Sequence, residues 1–398
     1  MAADTSPDRF EEIDWDQVSD GGQFSLSPTG KWLAAVLAVL GALFAYDYLL
    51  VGDREATFAV LGWDYAVSQL DWLYAVTLAF MTVTVVVPLV RNPRLAQYYW
   101  GRFRENRPAM VSLVYLVVIF AVGLVGPLVL SKPELAVLDQ FQPPVFMSVQ
   151  ESAVVECAGR VADGRCHGTW EFPLGTTSDG KDMVTLIVYG MGVSMKVGLM
   201  AAGIVMVIGS LVGTVAAYAG GLVDEVLMRY VDIQQTFPSF LLFLMLTYLF
   251  GSDLFLFILV FGFFSWGNTA RYVRSNALQK TEEEYVKAAK ATGASTWLIV
   301  RRHLVPNTAS SIITDLTLLI PSFILFEAAF AFLGLGDPTV PSWGQTIADG
   351  RGSLGYAPWI STVPGVFLFA TILAFNFLGD ALLDALNPQA ETETEGDR

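Results

Sequence analysis

Charge is scarce in this chain. Asp, Glu, Lys and Arg make up 15% of its 398 residues while 54% are hydrophobic, a balance that excludes an ordinary soluble domain and calls for a bilayer around the long apolar runs. Histidine and cysteine occur only twice each, too few for a metal framework built on those ligands. Acids outnumber bases 38 to 23, for a formal net charge of −15, and no basic patch stands out beyond the short loops, so nucleic acid is not an expected partner. The first 30 residues lack the basic start, short apolar core and small-residue cleavage site of a signal peptide. A nucleotide-binding loop is missing too. The nearest approach is GTTSDGKD, from Gly175 to Asp182. It puts an acid where the magnesium-binding hydroxyl belongs, and no buried strand precedes it.

What the chain does have is a series of runs near the ~20 residues needed to cross a bilayer. They extend from Trp32 to Val51, with Asp47 near the end, then Trp72 to Val90, Ala109 to Leu130, Val193 to Tyr218, Pro238 to Phe250, Leu254 to Val273, Ile312 to Gly334 and Trp359 to Leu378. Arginine crowds the stretch after the second run (Arg91, Arg94, Arg102, Arg104 and Arg107) and the two connections carrying Arg229 and Lys280 to Arg302. The outer connections hold few bases, so the positive-inside rule places both termini in the cytoplasm, with about eight spans. Acid collects at the ends, from Asp4 to Asp20 and from Glu391 to Asp397. A solvated tail accounts for this, and adaptation to a high-salt cytoplasm is the alternative.

The most informative polar interruption runs from Thr281 to Asn307, TEEEYVKAAKATGASTWLIVRRHLVPN. Thr281 and Glu284 have capping-box spacing, and Lys287 to Ala291 continue a helix cheaply. Gly293 can close it in a left-handed conformation, with Ser295 capping a second helix. Trp297, Val300 and Leu304 share a face of that second helix, which Pro306 ends. Ala288 and Ala289 form a small-residue face open to close approach by another protein.

This segment resembles the EAA loop of importer permeases of the ATP-binding-cassette class. That loop reads Glu-Ala-Ala, three residues, Gly, nine residues, an apolar pair and Pro. Ala288, Ala289, Gly293 and Pro306 fall at the matching spacings, Lys287 stands at the Glu position with Glu284 as the nearby acid, and Asn307 closes the motif. The resemblance extends over about Arg102 to Pro388 to the C-type subunit of dipeptide and oligopeptide (peptide/nickel) permeases, through FRENRPAMVSLVYLVVIF, LGTTSDGKD, AYAGGLVDEVLMRYVDIQQTFPSFLL, FLGLGDPTVPSWGQTIADGR and LAFNFLGDALLDALNP.

The resemblance implies an all-α integral membrane protein of the type I importer class, with six core spans and an added N-terminal pair. Its divisions would be an acidic cytoplasmic tail (1–30), an additional hairpin (31–90), the first core span and a long external loop (91–190), the permease core with its coupling loop at 281–307 (191–386), and an acidic tail (387–398). It implies a second permease of related fold, two cytoplasmic ATPases that bind ATP and magnesium, and an external substrate-binding protein. The chain itself would carry no catalytic residues, cofactor or metal. Peptides, metals, glutathione and oligosaccharides all occur as cargo in such a family. A self-sufficient secondary transporter or channel is the alternative of a different class, and a plain membrane anchor is a third; the first would depend on buried charge and internal repeats.

Cys157 and Cys166 share the polar loop between the third and fourth runs. As the only two cysteines they admit one disulfide, and a metal site with His167 competes. Pro238, Pro321 and Pro364 lie in apolar runs, where they kink helices and can absorb movement. Pro238, Glu327 and Pro364 are the pathway candidates. Lys196 and Glu327 are ionisable at membrane depth and mark either a pathway or an internal pair, with a wet position near the outer interface the alternative for Glu327. Gly198, Gly203, Gly209 and Gly213 indicate close helix packing. The topology predicts that, with the native cysteines replaced, Gly352→Cys is labelled by an impermeant thiol reagent in intact cells and Thr281→Cys is not; the reverse pattern contradicts it.

Overall fold

A computed structural model describes residues 28–51, 57–58, 67–294, 296–300 and 304–386. The acidic ends, Ser295 and the side chain of Trp297 lie outside them. Among the described residues seven helices are long and apolar enough to cross a membrane, or eight when one bent pair counts as a span. The expected number of spans therefore stands, although their ends differ from the hydropathy runs.

The chain opens with α1 (Pro28–Tyr46), which continues as a π-turn to Val51. Next comes a span made of α2 (Gln69–Met81), a π-turn over Thr82–Val86 and α3 (Val87–Arg91). A short amphipathic helix, α4 (Pro93–Phe103), and the third span, α5 (Arg107–Val129), come after it. Asn106 caps α5 by accepting the N–H of Ala109 at 3.1 Å.

Between α5 and the next helix the chain builds a small folded unit. Three antiparallel strands, β1 (Ser148–Gln150), β2 (Val161–Ala162) and β3 (Arg165–His167), pair in the order β1-β3-β2. Cys166 sits on β3, fully buried, and is bonded to Cys157 with Cα atoms 5.8 Å apart. Gln142 braces the Cys157 loop: its Nε2 donates to Glu156 O, and its Oε1 accepts the N–H of Ala158 at 3.1 Å. Hydropathy gives no hint of this sheet.

The long helix α6 (Met183–Ala219) is the spine of the bundle. It starts well before the expected Val193 because Asp182 caps it, accepting the Thr185 N–H at 2.9 Å. The polar loop expected to reach residue 190 therefore ends at 182. The broken span α7 (Gly221–Thr236) and α8 (Ser239–Phe250) bends by 64° at Phe237 and Pro238. Then come α9 (Leu254–Phe264) and α10 (Trp266–Thr281), which form one span, and α11 (Glu284–Ala291) with α12 (Thr296–Ile299). The chain closes with α13 (Val305–Phe332), α14 (Trp343–Asp349) and α15 (Trp359–Leu386).

Different stretches of α6 hold different partners. A side chain at Gly198 would strike Ile320 and Ile324 of α13, one at Gly209 would strike Thr269 of α10, and one at Gly213 would strike Ala270 O. Helices in lipid gain from such close approach because there is no water to expel. At the opposite end, Trp343 of α14 fills the space Gly190 leaves and donates Nε1–H to Ile187 O at 3.1 Å.

Lys196 has an internal pair. Its ammonium bonds Asp71 of α2 and lies 5.9 Å from the ring centre of Tyr74. Asp71 also accepts the backbone N–H of Ser68 at 3.0 Å and its hydroxyl at 2.8 Å, completing a capping box at the start of α2. The neighbouring Trp72 donates Nε1–H to Asp47 at 2.8 Å. The added N-terminal pair of spans is thereby joined to the core through charge, with Thr77 of α2 against Gly203 of α6. We expect Asp71→Asn and Lys196→Met each to lower stability by about 1–3 kcal/mol, because either leaves a partly buried charge without its partner. The double variant recovers part of the loss. Thermal unfolding in detergent checks this, and strictly additive losses contradict it.

Candidate functional site

The candidate site is the hairpin between α10 and α13. It has a miniature core of its own: Val286, Ile299 and Leu304 are fully buried together with Val300, and Tyr218, Ala289 and Ala294 pack around them. Val300 and Leu304 are thus buried in one cluster, joined by Ile299, while the described second helix is only Thr296–Ile299.

The turn closes as a Schellman motif. Gly293 has φ of +79°, its N–H donates to Lys290 O at 3.0 Å, and the Ala294 N–H reaches back to Ala289 O at 3.1 Å. A Cβ built at Gly293 meets nothing within 4 Å. The requirement for glycine is conformational, not steric.

Two expectations are corrected. The Thr281–Glu284 capping box does not form: Thr281 ends α10 and donates its hydroxyl to Leu278 O at 2.7 Å, while α11 begins at Glu284 behind Glu283, which makes no side-chain cap. The transmembrane helix runs on so far that Thr281 belongs to it. Second, Ala288 and Ala289 do not share a face. Ala289 is half-buried against the miniature core, whereas Ala288 is exposed together with Glu284, Lys287 and Ala291. Spacing at i, i+3, i+4 and i+7 makes these four one stripe.

Lys287 pairs with Glu282 at 3.1 Å and Lys280, at the end of α10, with Glu283 at 3.6 Å, so the acid bonded to Lys287 comes from before the helix. Desolvation and the nearby Glu283 push the Tyr285 phenol above its ordinary value. Lys290 lies over the Tyr218 ring at 5.3 Å, seating the hairpin on the end of α6. Pro306 and Asn307 begin α13, with the proline in the first turn, where its missing N–H costs nothing. They open the next helix and do not close the hairpin.

The pathway candidates do not converge. Pro238 stands in the 64° bend between α7 and α8. Glu327 is 5% exposed and lines a cavity of about 10 Å³ with Phe243 and with Asp253 and Asp337 of the connections expected outside, so it is buried but close to that end of the bundle. The start of α8 reaches this region, with Phe240 and Phe243 at 5.3 and 5.0 Å from Phe330. Pro321 lies inside α13 and Pro364 inside α15, and neither lines this cavity.

Sequence reasoning missed the polar seam between α7 and α10. Arg274 forks onto Asp224 through Nε and Nη2, and Arg271 bonds Asp232. The signal was available: Asp224 and Asp232 lie eight positions apart in an otherwise helical stretch, opposite arginines three apart.

With this geometry in view, comparison with known proteins identifies the class. Residues 206–392 match the family described as binding-protein-dependent transport system inner membrane component, and residues 94–144 match the N-terminal TM domain of oligopeptide transport permease C. The chain belongs to the ATP-binding-cassette importer permeases, in their oligopeptide and dipeptide branch. It is 36% identical to the oligopeptide transport system permease protein OppC of Escherichia coli over 289 residues, covering 72% of this chain and 89% of that protein. It is 35% identical to the dipeptide transport system permease protein DppC of Bacillus subtilis over 304 residues, covering 75% and 88%. A solved inward-facing MetNI methionine ABC transporter aligns at 22% identity with a TM-score of 0.44, over 52% of this chain and 98% of that one.

Gly293→Val forces a β-branched residue to positive φ and is expected to cost the hairpin at least ~1–2 kcal/mol. Hydrogen exchange at the amides of Val286 to Lys290 should speed up by about tenfold or more, while the spans keep their protection. Unchanged exchange contradicts the assignment of the turn.

Proposed function

We propose that this chain is one of two permease subunits of an ATP-driven, binding-protein-dependent importer that carries peptides or similar small solutes across the cytoplasmic membrane by alternating access. A second permease of related fold, two cytoplasmic ATPases holding ATP and magnesium, and an external substrate-binding protein complete the assembly. Both termini and the 281–307 hairpin face the cytoplasm, and the disulfide-bonded unit faces out. The observation carrying this reading is the hairpin: a knob with its own small core and a glycine-closed turn, whose outward stripe of Glu284, Lys287, Ala288 and Ala291 ends in two small residues. ATPase closure moves the knob, and α10 and α13, which enter and leave it, carry the movement into the bundle.

Peptide cargo is supported by the family branch and by what the two named relatives are described as transporting. The test is purification of tagged chain from its native membrane, followed by uptake of a radiolabelled tripeptide into vesicles. ATPases should co-purify, uptake should require ATP, and Ala288→Glu should lower it by about tenfold or more, equivalent to ~1.4 kcal/mol of lost docking. A chain that purifies alone and takes up solute on an ion gradient is a secondary transporter, and the proposal fails.

A further inference from the structure

The bend at Pro238 lies well away from the hairpin in sequence, and α7 runs into it. On α7 only Val231 and Gln234 are buried, and both face the α9–α10 span: Val231 stands over Gly267, and Gln234 donates to Phe263 O at 2.9 Å. Gln235 donates to Asn268 at 2.7 Å, and the Tyr230 ring stacks on Trp266 at 5.8 Å. All of these contacts fall in the half of α7 next to the bend. The other half, about 10 Å away at the rise of a helix, carries exposed Leu222, Val223 and Val226 and is joined to α10 by the fork from Arg274 to Asp224. The Arg271–Asp232 pair lies between.

These pairs are partly exposed on the chain, with side-chain exposures of 31% and 19% for Arg274 and Asp224 and 44% and 48% for Arg271 and Asp232. Ion pairs this exposed add little to folding stability. An arginine fork on a carboxylate does fix geometry, because two parallel bonds set both distance and plane. The fork is the charged link between α10 and the half of α7 remote from the bend, a half that otherwise leans on the end of α6.

We propose that Asp224 and Arg274, assisted by Asp232 and Arg271, are positioning residues that make α7 move as one body with α10, so that displacement of the hairpin arrives at the Pro238 bend and re-aims α8. The proposal rests on the importer reading above. It adds a route: hairpin to α10, across the ion pairs to α7, and through the bend to Phe240 and Phe243 beside Glu327.

The test uses the assembled complex with spin labels on Tyr248→Cys of α8 and Tyr356→Cys before α15. Both native cysteines are bonded to each other and take no label. Adding ATP and orthovanadate should shift the distance between the labels in the otherwise unmutated complex. Arg274→Ala should lose the shift while ATP hydrolysis continues, and the exchanged pair Asp224→Arg with Arg274→Asp should regain it. A shift that survives Arg274→Ala overturns the proposal, as does a complex that hydrolyses ATP with no shift at all. If Arg274→Ala fails to reach the membrane, the exchanged pair alone decides: a shift supports the route and its loss refutes it. Failure of ATPases to assemble with the unmutated chain is a different result, and it removes the importer reading itself.

Discussion

Helices in hydrocarbon gain nothing by hiding apolar side chains from one another, so their association must come from close backbone approach and from paired polar groups. In this chain both are concentrated on α6. Its glycines admit α13 at Gly198, α2 at Gly203 and α10 at Gly209 and Gly213, and its single ammonium, Lys196, takes Asp71 of the N-terminal hairpin. Helices α2, α5, α7, α9, α10, α13 and α15 all touch it. The same helix ends at Ala219, with Tyr218 of its last turn under the knob between α10 and α13. The element that organises the membrane core therefore also seats the element that would receive force from outside it.

The knob follows closely on α10. Just two residues separate α10 from α11, and Thr269 of α10 donates to Asp315 of α13 at 2.7 Å, so the helices entering and leaving the knob are linked inside the bundle. A rigid lever of this kind passes on displacement where a flexible loop would absorb it. The hydrogen bonds that close the turn at Gly293 lie within the hairpin, while Tyr218 of α6 packs against its core from outside.

Much of this was legible in the sequence. Runs of apolar residues marked the spans because a bilayer imposes a length that hydropathy can count, and Gly293 was legible because positive φ selects for glycine. The knob's orientation was not. Whether Ala288 or Ala289 faces out depends on where the miniature core sits, and that core needs Ile299 and Leu304 from beyond the turn. The capping box at Thr281 was misread because local spacing cannot tell whether a preceding helix has already claimed the residue. The three-stranded sheet escaped notice because strands of two and three residues carry no periodicity. The Asp71–Lys196 pair joins residues 125 positions apart, and no local pattern announces it.

The central claim is that the stripe of Glu284, Lys287, Ala288 and Ala291 is the surface that meets the ATPases. The direct measurement is cross-linking in native membranes from single cysteines at adjacent positions, Ala288→Cys and Ala289→Cys, with a short thiol-to-amine reagent. The account predicts a covalent adduct with an ATPase subunit from position 288 and none from position 289, which points into the knob. An adduct from 289 with none from 288, or from neither, would contradict it.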